Sequence, residues 1–408
     1  MIHTSYWRPR VYPYNGDVAP SQIDRLQDLS ASVTLNREKI REIGRDGIVD
    51  WRKRIPSTRV SLRQFEYGDI EFWQKLANVA PTDTDVTLSD FKTSMVDIVG
   101  YKTDDAGTFT GCVWYPKLRT SGFSVTIGDP QANIERSFEL VGEDENILEG
   151  SNKYFNYQKF TASGGAPESF TVENPDPVAD PDNSGQYLFR VLRVRSGTTT
   201  ELTYTTSTAT GDYYAFNGTT QALTAATTAA DVIKVYYSAG AYLTGSSVFT
   251  NNDADSGGLI AEAASIYLYV STNNYVYKLQ SVTIDVSFDR TDYFEIGNKD
   301  IIQRGVRDKT VRVTLGRILD AYTIEEVLRG VSSTYGRINT REYLDNTTLR
   351  IKLYGNTLKN TFNMGYKITG LSPVSFDAPV PLNDYANRNA VLESDNLTIT
   401  NTEATVDA

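Results

Sequence analysis

Oxygen-bearing side chains cluster in one segment with the spacing of a calcium-binding loop. Counted from Asn251, ligand-type residues fall at positions 1, 3, 5 and 12, and position 12 is Glu262. Carboxylates and amides at these positions can fold onto one hard cation. However, Ser256 stands at position 6, where such loops need glycine, and the flanking sequence alternates as strands do. A solvated polar loop is the favoured interpretation, and a bound cation stays open.

Nucleophilic catalysis has little support among the reactive residues. The segment Asp255 to Gly258 is similar to the nucleophile sequence of serine proteases, but Ala254 stands where that sequence has glycine. The chain has one histidine, His3, and one cysteine, Cys112, so a triad would have at most one badly placed base. It contains no glycine-rich phosphate-binding motif. The sequence therefore predicts no enzyme, no catalytic residue, no assigned metal site and no cofactor.

The charge balance argues against a surface that grips nucleic acid. The 408 residues include 40 Lys and Arg against 51 Asp and Glu, which gives a net charge of −11. A phosphate-holding surface needs a basic excess, whereas a protein that touches DNA without gripping it does not. The longest apolar stretch, 258–270, is too short to span a bilayer and contains Glu262. The first residues have no signal-peptide core, so we expect synthesis in a cytoplasm and no membrane partner.

Residue usage and periodicity predict a mainly β fold. Tyrosine is abundant, at 26 residues, and methionine is rare, at 3. Two short helices are predicted, one at 69–77 with Asp69 as its cap and one at 320–328 that ends before Gly330. Alternating apolar and polar residues predict strands at 30–35, 59–62, 123–127, 282–288, 311–315 and 349–353.

An internal repeat organises the sequence. Residues 26–62 align with residues 279–315 at a constant offset of 253, with twelve identities over 37 positions and no gap. Both copies run in the order strand, charged segment, strand, short helix. Such internal symmetry indicates a duplicated domain. A much weaker match relates the strands near 122–127 and 136–141 to segments 366–371 and 390–393.

The repeat divides the chain into three predicted parts. Residues 1–141 form a first domain with an N-terminal arm, 142–262 an inserted or linking all-β module, and 263–408 a second domain with a C-terminal tail. The middle part differs in composition, because only four basic residues lie between 161 and 260. Turns rich in Pro, Asp or Gly separate its strand patterns.

Each repeat carries the same motif at the start of its charged segment. The motif is Arg37 with Glu42-Ile43-Gly44 in the first copy and Arg290 with Glu295-Ile296-Gly297 in the second. Together with the order of elements, this arrangement resembles the tail tube proteins of tailed bacteriophages. The resemblance covers both repeats, about 250 of the 408 residues. The middle part departs from the minimal tube domain.

The resemblance implies a fold and an assembly. Two tandem β-sandwich or barrel domains, each with a short flanking helix, would accompany the all-β middle module. Six tube-like domains would form a ring around a lumen that conducts DNA, so three chains with two domains each would complete a ring, as in some long-tailed non-contractile phages. The partners would be further copies of the chain, other tail proteins at the tube ends, and DNA in transit. The location would be the virion tail, and an acidic lumen would let DNA slide.

The two charged segments, 36–57 and 289–308, are predicted to be long loops that make the contacts between stacked rings. They are long for connections between neighbouring strands, and they mix charges of both signs, which suits pairing across an interface. Gly44 and Gly297 are expected to have positive φ, where replacement by alanine would cost about 1 kcal/mol each. The predicted contact residues are Arg37, Glu42, Gly44, Arg52, Arg290, Glu295, Gly297 and Arg304.

Two other functions stay open. One is another ring-forming tail or baseplate component of the same fold, which would form single rings but no tubes. The other is a carbohydrate-binding or adhesive β protein that reads sugars with its Tyr- and Thr-rich middle part. Tyr213-Tyr214 and Tyr236-Tyr237 could stack on sugars, although such pairs more often place one ring on each face of a strand.

Overall fold

A computed structural model describes most of the chain, and its fold is mainly β, as the sequence predicted. Within the described residues, no helix is both long and apolar enough to cross a membrane. The described residues are 7–16, 18–41, 48–53, 55–104, 109–149, 154–165, 167–175, 188–240, 259–269, 273–276, 279–294, 301–318, 328, 346–377 and 387–408.

The strands are numbered in chain order. Those of the first half are β1 (Trp7–Pro13), β2 (Ser21–Gln22), β3 (Leu26–Thr34), β4 (Arg37–Ile40), β5 (Asp50–Lys53), β6 (Ser57–Phe65), β7 (Asp85–Thr87), β8 (Val96–Thr103), β9 (Phe109–Ile127), β10 (Glu135–Gly142), β11 (Asn146–Leu148), β12 (Tyr154–Thr161), β13 (Glu168–Thr171) and β14 (Arg190–Arg195). Those of the second half are β15 (Thr198–Glu201), β16 (Thr203–Tyr204), β17 (Tyr213–Asn217), β18 (Ala222–Ala225), β19 (Val232–Ala239), β20 (Ala264–Tyr269), β21 (Asn273–Tyr275), β22 (Leu279–Phe294), β23 (Ile301–Ile318), β24 (Thr347–Tyr354), β25 (Phe362–Asp377), β26 (Asn387–Ser394) and β27 (Asn396–Thr400). The α-helices are α1 (Glu71–Ala77) and α2 (Glu403–Asp407), and 3-10 turns lie at Asp90–Lys92 and Ala261–Ala263.

The chain forms two compact units whose segments alternate along the sequence. The first unit contains residues 1–23, 95–118 and 142–252. The second unit contains residues 24–94, 119–141 and 253–408. The predicted three-part division at residues 141 and 262 stays a prediction.

The second unit is built on an eight-stranded run of hydrogen-bonded strands. Their order is β3-β6-β10-β9-β22-β23-β26-β25. The first four strands come from the first repeat and the last four from the second. The two repeats therefore lie side by side in one continuous sheet.

The core of this unit lies on one face of the sheet. Trp73 of α1 is fully buried, and its ring centroid lies 4.9 Å from those of Phe123 and Phe138. Phe72 packs on Phe138 at 5.2 Å. Alternate residues of every sheet strand point into this core because successive side chains of a strand face opposite sides. They include Val60, Leu62, Val125, Leu140, Val282, Ile284, Val286, Val311, Val313, Leu315 and Leu392.

Strand register repeats together with the sequence. In β3 and β6, Val33 lies opposite Thr58, and in β22 and β23, Val286 lies opposite Val311. Adding 253 to both members of the first pair gives the second pair. The register also shifts at matching places, at Gln27 in β3 and at Gln280 in β22. The sequence repeat therefore has a matching repeat in backbone pairing, bulge included.

The two charged segments form β-ribbons, not the long loops that the sequence suggested. Arg37 of β4 lies opposite Lys53 of β5, and Arg290 of β22 lies opposite Val306 of β23, again at the offset of 253. In a ribbon the backbone N–H and C=O groups bond to the opposite strand, whereas in an irregular loop they would bond to water. The ribbon tips, 42–47 and 295–300, lie outside the described residues.

The counterpart of β9 in the second repeat differs from the predicted one. Ser121 of β9 and Val374 of β25 both occupy the extra position of a register shift against the neighbouring strand. Gly122 therefore corresponds to Ser375, once more at the offset of 253. The segment 366–371, which weak sequence similarity had suggested, instead belongs to the half of β25 that pairs with β24. Few identical residues remain in these two strands, so sequence similarity did not reveal their correspondence. The matching register shifts did.

The first unit contains two four-stranded sheets from the middle segment. Their strand orders are β12-β19-β14-β15 and β13-β18-β17-β16. Side chains from both sheets, such as Val235 and Tyr237 from one and Phe170 and Leu223 from the other, share one hydrophobic cluster. The opposite face of the first sheet contributes Tyr236 to a second cluster with residues of β1, β8 and β9. Strand β19 is therefore buried on both faces.

Helix α1 begins slightly later than predicted. It spans Glu71–Ala77, and the carboxylate of Asp69 accepts a hydrogen bond from the backbone N–H of Glu71 at 2.7 Å. Asp69 lies one residue before the cap residue Ile70. Its carboxylate thus binds one of the backbone N–H groups that the first turn of a helix leaves without a partner. Of the second predicted helix, only Leu328 is described, and it is helical and buried.

Candidate functional site

One face of the eight-stranded sheet is exposed and lined by small hydroxyl side chains. Along the contact between β9 and β22, Ser124 lies opposite Asp285 and Thr126 lies opposite Thr283. We call this surface the hydroxyl face. Its serine and threonine residues are Ser30, Ser32, Thr34, Ser61, Ser124, Thr126, Ser137, Thr283, Ser287, Thr310 and Thr314.

Acidic side chains outnumber basic ones on the hydroxyl face. Arg312 donates hydrogen bonds to Glu393 at 3.0 and 2.7 Å, so part of the positive charge is neutralised locally. Such a face repels phosphate and has no continuous basic stripe to hold it. The acidic residues are Asp28, Glu135, Glu139, Asp285, Asp289, Asp308, Asp377 and Glu393, and the basic residues are Arg59, Arg63 and Arg312.

Strands β9 and β22 form the junction between the two repeats. They pair over six residues, from Val282 opposite Ile127 to Ser287 opposite Gly122. Because β9 belongs to the first repeat and β22 to the second, this pairing joins the far edge of one repeat to the near edge of the other. The junction is thus head-to-tail, which is the type of contact that can propagate.

Arg290 closes the junction at its ribbon end. Its Nε donates to the carbonyl of Thr120 at 2.8 Å. Its terminal nitrogens donate to the carbonyls of Phe91 at 2.9 Å and Lys92 at 3.2 Å. The ring of Phe288 lies beside that of Phe91, with centroids 6.0 Å apart. One side chain of the second repeat thus binds three backbone acceptors of the first.

A buried charged network ties the repeats together behind the sheet. Arg136 Nη1 lies 3.0 Å from both carboxylate oxygens of Glu66, and Arg136 Nε donates to Gln64 at 3.2 Å. Tyr366 of the second repeat donates its hydroxyl to Glu66 at 2.9 Å. Burial alone would lower the pKa of Arg136, but the Glu66 carboxylate raises it above its ordinary value. Arg136 therefore stays charged in the core.

The sequence analysis did not single out this network. The available signal was strand parity, because Arg136 shares the inward face of β10 with Phe138 and Leu140. An arginine at an inward position needs an anionic partner. Its partner Glu66 is 70 residues away in the chain, so no local pattern could identify it.

Two strand edges of the sheet have no strand partner within the described residues. One is the outer edge of β3, which pairs only with β6, and the other is the outer edge of residues 372–377 of β25, which pair only with β26. By the register match, β3 is the counterpart of β22 and this half of β25 is the counterpart of β9. The two open edges therefore correspond to the two edges joined at the junction.

The predicted contact residues fall into two groups. Arg37, Arg52, Arg290 and Arg304 lie in the paired parts of the ribbons. Arg290 binds within the chain at the junction, as described above. The remaining four, Glu42, Gly44, Glu295 and Gly297, lie in the tips outside the described residues. Contact between these segments and a neighbouring ring stays a prediction.

The other sequence motifs yield no assembled site in the described part of the chain. The calcium-like spacing begins at Asn251 in a segment outside that part, and no metal-binding cluster occurs among the described residues. Cys112 is buried, and burial raises the pKa of its thiol to about 12. Tyr213 is exposed and Tyr214 is buried, as alternation predicts, whereas Tyr236 and Tyr237 are both buried.

Buried charge also anchors the middle segment within the first unit. Arg190 of β14 forms an ion pair with Asp97 of β8, and both side chains are buried. Trp114 Nε1 donates to Asp97 at 3.1 Å. The Arg190 guanidinium lies 4.3 Å from the ring centroid of Tyr236. Burial would lower the pKa of Arg190, but Asp97 raises it above its ordinary value.

Comparison with known proteins gives only distant likenesses. No family model matches the sequence, and no curated protein matches it. A chain of the sheath-tube complex of an extracellular contractile injection system, PVC, in its extended state is 15% identical, with a TM-score of 0.29 over 38% of this chain and 98% of that chain. A chain of the baseplate of the anti-feeding prophage is 12% identical, with a TM-score of 0.24 over 33% of this chain and 91% of that chain. These scores are too low to decide the function.

Proposed function

We propose that this chain is a structural subunit of a phage-like tail, and specifically a tail tube protein. Copies of the chain associate head-to-tail into rings, and the rings stack into a tube. Three chains, with two repeats each, complete a ring with pseudo-six-fold symmetry. The chain performs no catalysis in this role.

One observation carries the proposal. The junction between β9 and β22 joins the far edge of the first repeat to the near edge of the second. The corresponding edges at the two ends of the sheet are open in the described residues. A subunit that already contains one copy of a contact, and presents both halves of a second copy, can extend the same sheet from chain to chain. A closed ring removes such edges, which would otherwise invite uncontrolled aggregation.

The hydroxyl face supports the passage of DNA. When the extended sheet curves into a ring, this face lines the lumen, because the opposite face is occupied by the hydrophobic core. Small hydroxyl side chains leave the lumen wide, and the acidic excess repels phosphates. Both properties favour sliding over binding.

Negative-stain electron microscopy of the purified full-length protein tests the proposal. We expect rings and stacked tubes whose averaged cross-section has three-fold symmetry with six similar lobes. A ring of six full chains would contradict the three-chain assembly. Single rings that never stack would favour another ring-forming tail or baseplate component, and a protein that stays monomeric at high concentration would refute the assembly altogether.

A further inference from the structure

We propose that the open edge of β3 pairs with residues 372–377 of β25 from a second copy in one defined register. In this register Val33 lies opposite Phe376, and Arg37 donates to the backbone carbonyl of Pro373 of the other copy. The inference rests on the self-assembly proposed above and specifies the residues that perform it.

The register follows from the junction inside the chain. There, Asp285 lies opposite Ser124, Val286 opposite Phe123 and Ser287 opposite Gly122. The offset of 253 relates β22 to β3 and this half of β9 to β25, as the matching bulges show. Transferring the three pairs by that offset gives the contact between copies. The expected pairs are Ser32 opposite Asp377, Val33 opposite Phe376, and Thr34 opposite Ser375.

Burial of equivalent residues supports a missing neighbour at both edges. Phe288 is 5% exposed at the junction, whereas its counterpart Leu35 is 59% exposed. Phe123 is 4% exposed, whereas its counterpart Phe376 is only half-buried. Apolar side chains at these positions are covered where a neighbouring repeat is present and uncovered where it is absent. Pairing with a second copy would bury them, which favours association.

Arg37 occupies the position in the first repeat that Arg290 occupies in the second. Arg290 donates to the carbonyl of Thr120, and the offset relates Thr120 to Pro373. Proline keeps its carbonyl acceptor, so the hydrogen bond can be reproduced between copies. Arg37 is exposed and has no hydrogen bond or ion pair within the described residues. The same side chain that closes the junction within one chain is therefore free to close it between two chains.

A second copy fits these edges better than an unrelated partner. An unrelated strand could match the hydrogen-bonding pattern of either edge, since any edge is a template. Such a strand would also offer Arg37 a backbone carbonyl, because every residue has one. It would not reproduce the apolar pair of the junction, in which Phe123 lies opposite Val286, whereas the offset of 253 places Phe376 of a second copy opposite Val33.

Disulfide trapping tests the register. The variants Ser32→Cys/Asp377→Cys and Val33→Cys/Phe376→Cys place cysteines directly opposite each other between copies, one pair from each of the two alternating pair types of an antiparallel ladder. A matched control, Ser32→Cys/Ser375→Cys, shifts the pair by two residues on the same face. The native Cys112 is buried with a raised thiol pKa, so it contributes little background. After mild oxidation, non-reducing electrophoresis is expected to show linked chains for at least one in-register pair and at least about tenfold less for the control.

Substitution of Arg37 separately tests its proposed hydrogen bond to the carbonyl of Pro373 of the second copy. Arg37→Ala is expected to raise the protein concentration at half-assembly by at least about tenfold, as loss of a charge-assisted hydrogen bond implies. Arg63→Ala, an exposed arginine of β6, whose strand is paired on both sides, is the control and is expected to leave assembly unchanged. Analytical ultracentrifugation gives both values. Equal assembly of the two variants would refute the role of Arg37.

Microscopy of the same samples distinguishes failure of the proposed register from failure of the proposed tail-tube function. Rings that form without cross-linking in either in-register pair, or that cross-link only in the shifted control, overturn the register while the tail-tube proposal stands. Absence of any assembly in the unmodified protein overturns both. Cross-linking of the in-register pairs within visible rings confirms the inference.

Discussion

At the scale of single residues, Arg136 places a charge inside the core of the second unit. Its guanidinium is fully buried and lies between the carboxylate of Glu66 and the rings of Tyr67 and Phe72. Glu66 in turn binds the hydroxyl of Tyr366 in the second repeat. Removal of one partner of a buried ion pair destabilises a protein far more than replacement of both partners by apolar residues. We therefore expect a large loss of folding stability when either Glu66 or Arg136 is replaced alone.

Replacement of Glu66 by Leu should lower the free energy of unfolding by about 3–5 kcal/mol, because it strands the Arg136 charge in the core. Urea denaturation followed by tryptophan fluorescence reports this change, since Trp73 lies 5.5 Å from the Arg136 guanidinium. The control is Glu135→Leu, which removes an exposed ion pair with Arg63. That change should cost no more than about 1 kcal/mol, and equal losses in the two variants would contradict the argument.

At the scale of elements, the two ribbons carry exposed apolar side chains. Strand β4 pairs with β5 in the first ribbon, and β22 pairs with β23 in the second. Ile40 and Trp51 are exposed on the first ribbon and Tyr293 on the second, and exposed apolar residues of this kind are typical of a contact surface. Their tips carry the motif residues of the predicted contact between rings.

Shortening both ribbons should separate ring formation from stacking. Deletion of residues 42–47 and 295–300 with a two-residue turn in their place leaves the eight-stranded run intact. We expect this variant to form rings of normal diameter but few tubes in electron micrographs. Tubes of normal length would show that ring stacking depends on other surfaces.

The first unit offers an acid-sensitive element in the turn before β19. Hydrogen bonds from Arg195, with Nη2 at 2.6 Å, lower the pKa of Asp231 to about 2. The backbone and hydroxyl of Thr228 also donate to this carboxylate. In the unfolded chain the pKa would be about 3.9, so the folded form holds its carboxylate charged to lower pH.

The contribution of Asp231 to stability should be complete above about pH 4 and disappear as the pH falls through about 2. Asp231→Asn is therefore expected to unfold at lower temperature than the unmodified protein at pH 7, with the difference shrinking toward pH 2. Calorimetry across this range gives the comparison. The exposed Asp83→Asn serves as control, and a difference between Asp231→Asn and the unmodified protein that does not change with pH would contradict the linkage.

At the scale of the whole molecule, the junction within one chain is the template for the proposed contact between chains. Within the described residues, each chain carries one repeat-to-repeat junction and the two halves of another, which have no strand partner there. Only twelve of 37 aligned positions are identical between the repeats, so the two repeats are not interchangeable and should alternate around a ring. In the proposed ring, the hydroxyl face would set the charge of the lumen.

Reversal of charge on the hydroxyl face should convert a sliding surface into a binding one. Tubes of Glu139→Lys/Asp285→Lys are expected to retain DNA at low salt and release it as salt rises, because added lysines bind phosphates through counterion release. Filter binding with assembled tubes measures retention. Asp144→Lys/Glu149→Lys, which makes the same charge change at exposed positions outside that face, is the control. Equal retention by both variants would place the hydroxyl face outside the lumen.

The amino-acid sequence alone determined the mainly β class, the strands of both repeats and the duplication. These follow from local alternation and from identities at one offset, such as Arg37 with Arg290 and Val60 with Val313. Alternation decides which side chains share a face, because successive residues of a strand point to opposite sides. Helix α1 was likewise evident from its apolar face and the nearby Asp69.

Tertiary structure decided which strands pair and which charges meet. A backbone N–H bonds equally well to any strand of suitable spacing, so the local pattern did not indicate that the charged segments pair as ribbons or that β9 pairs with β22. Likewise, the parity of Arg136 marked it as inward but did not name Glu66, whose distance in sequence is bridged only by the sheet. The edges of β3 and β25 that have no partner in the described part of the chain were not evident for the same reason, because an edge is defined only by the pairing of all the other strands.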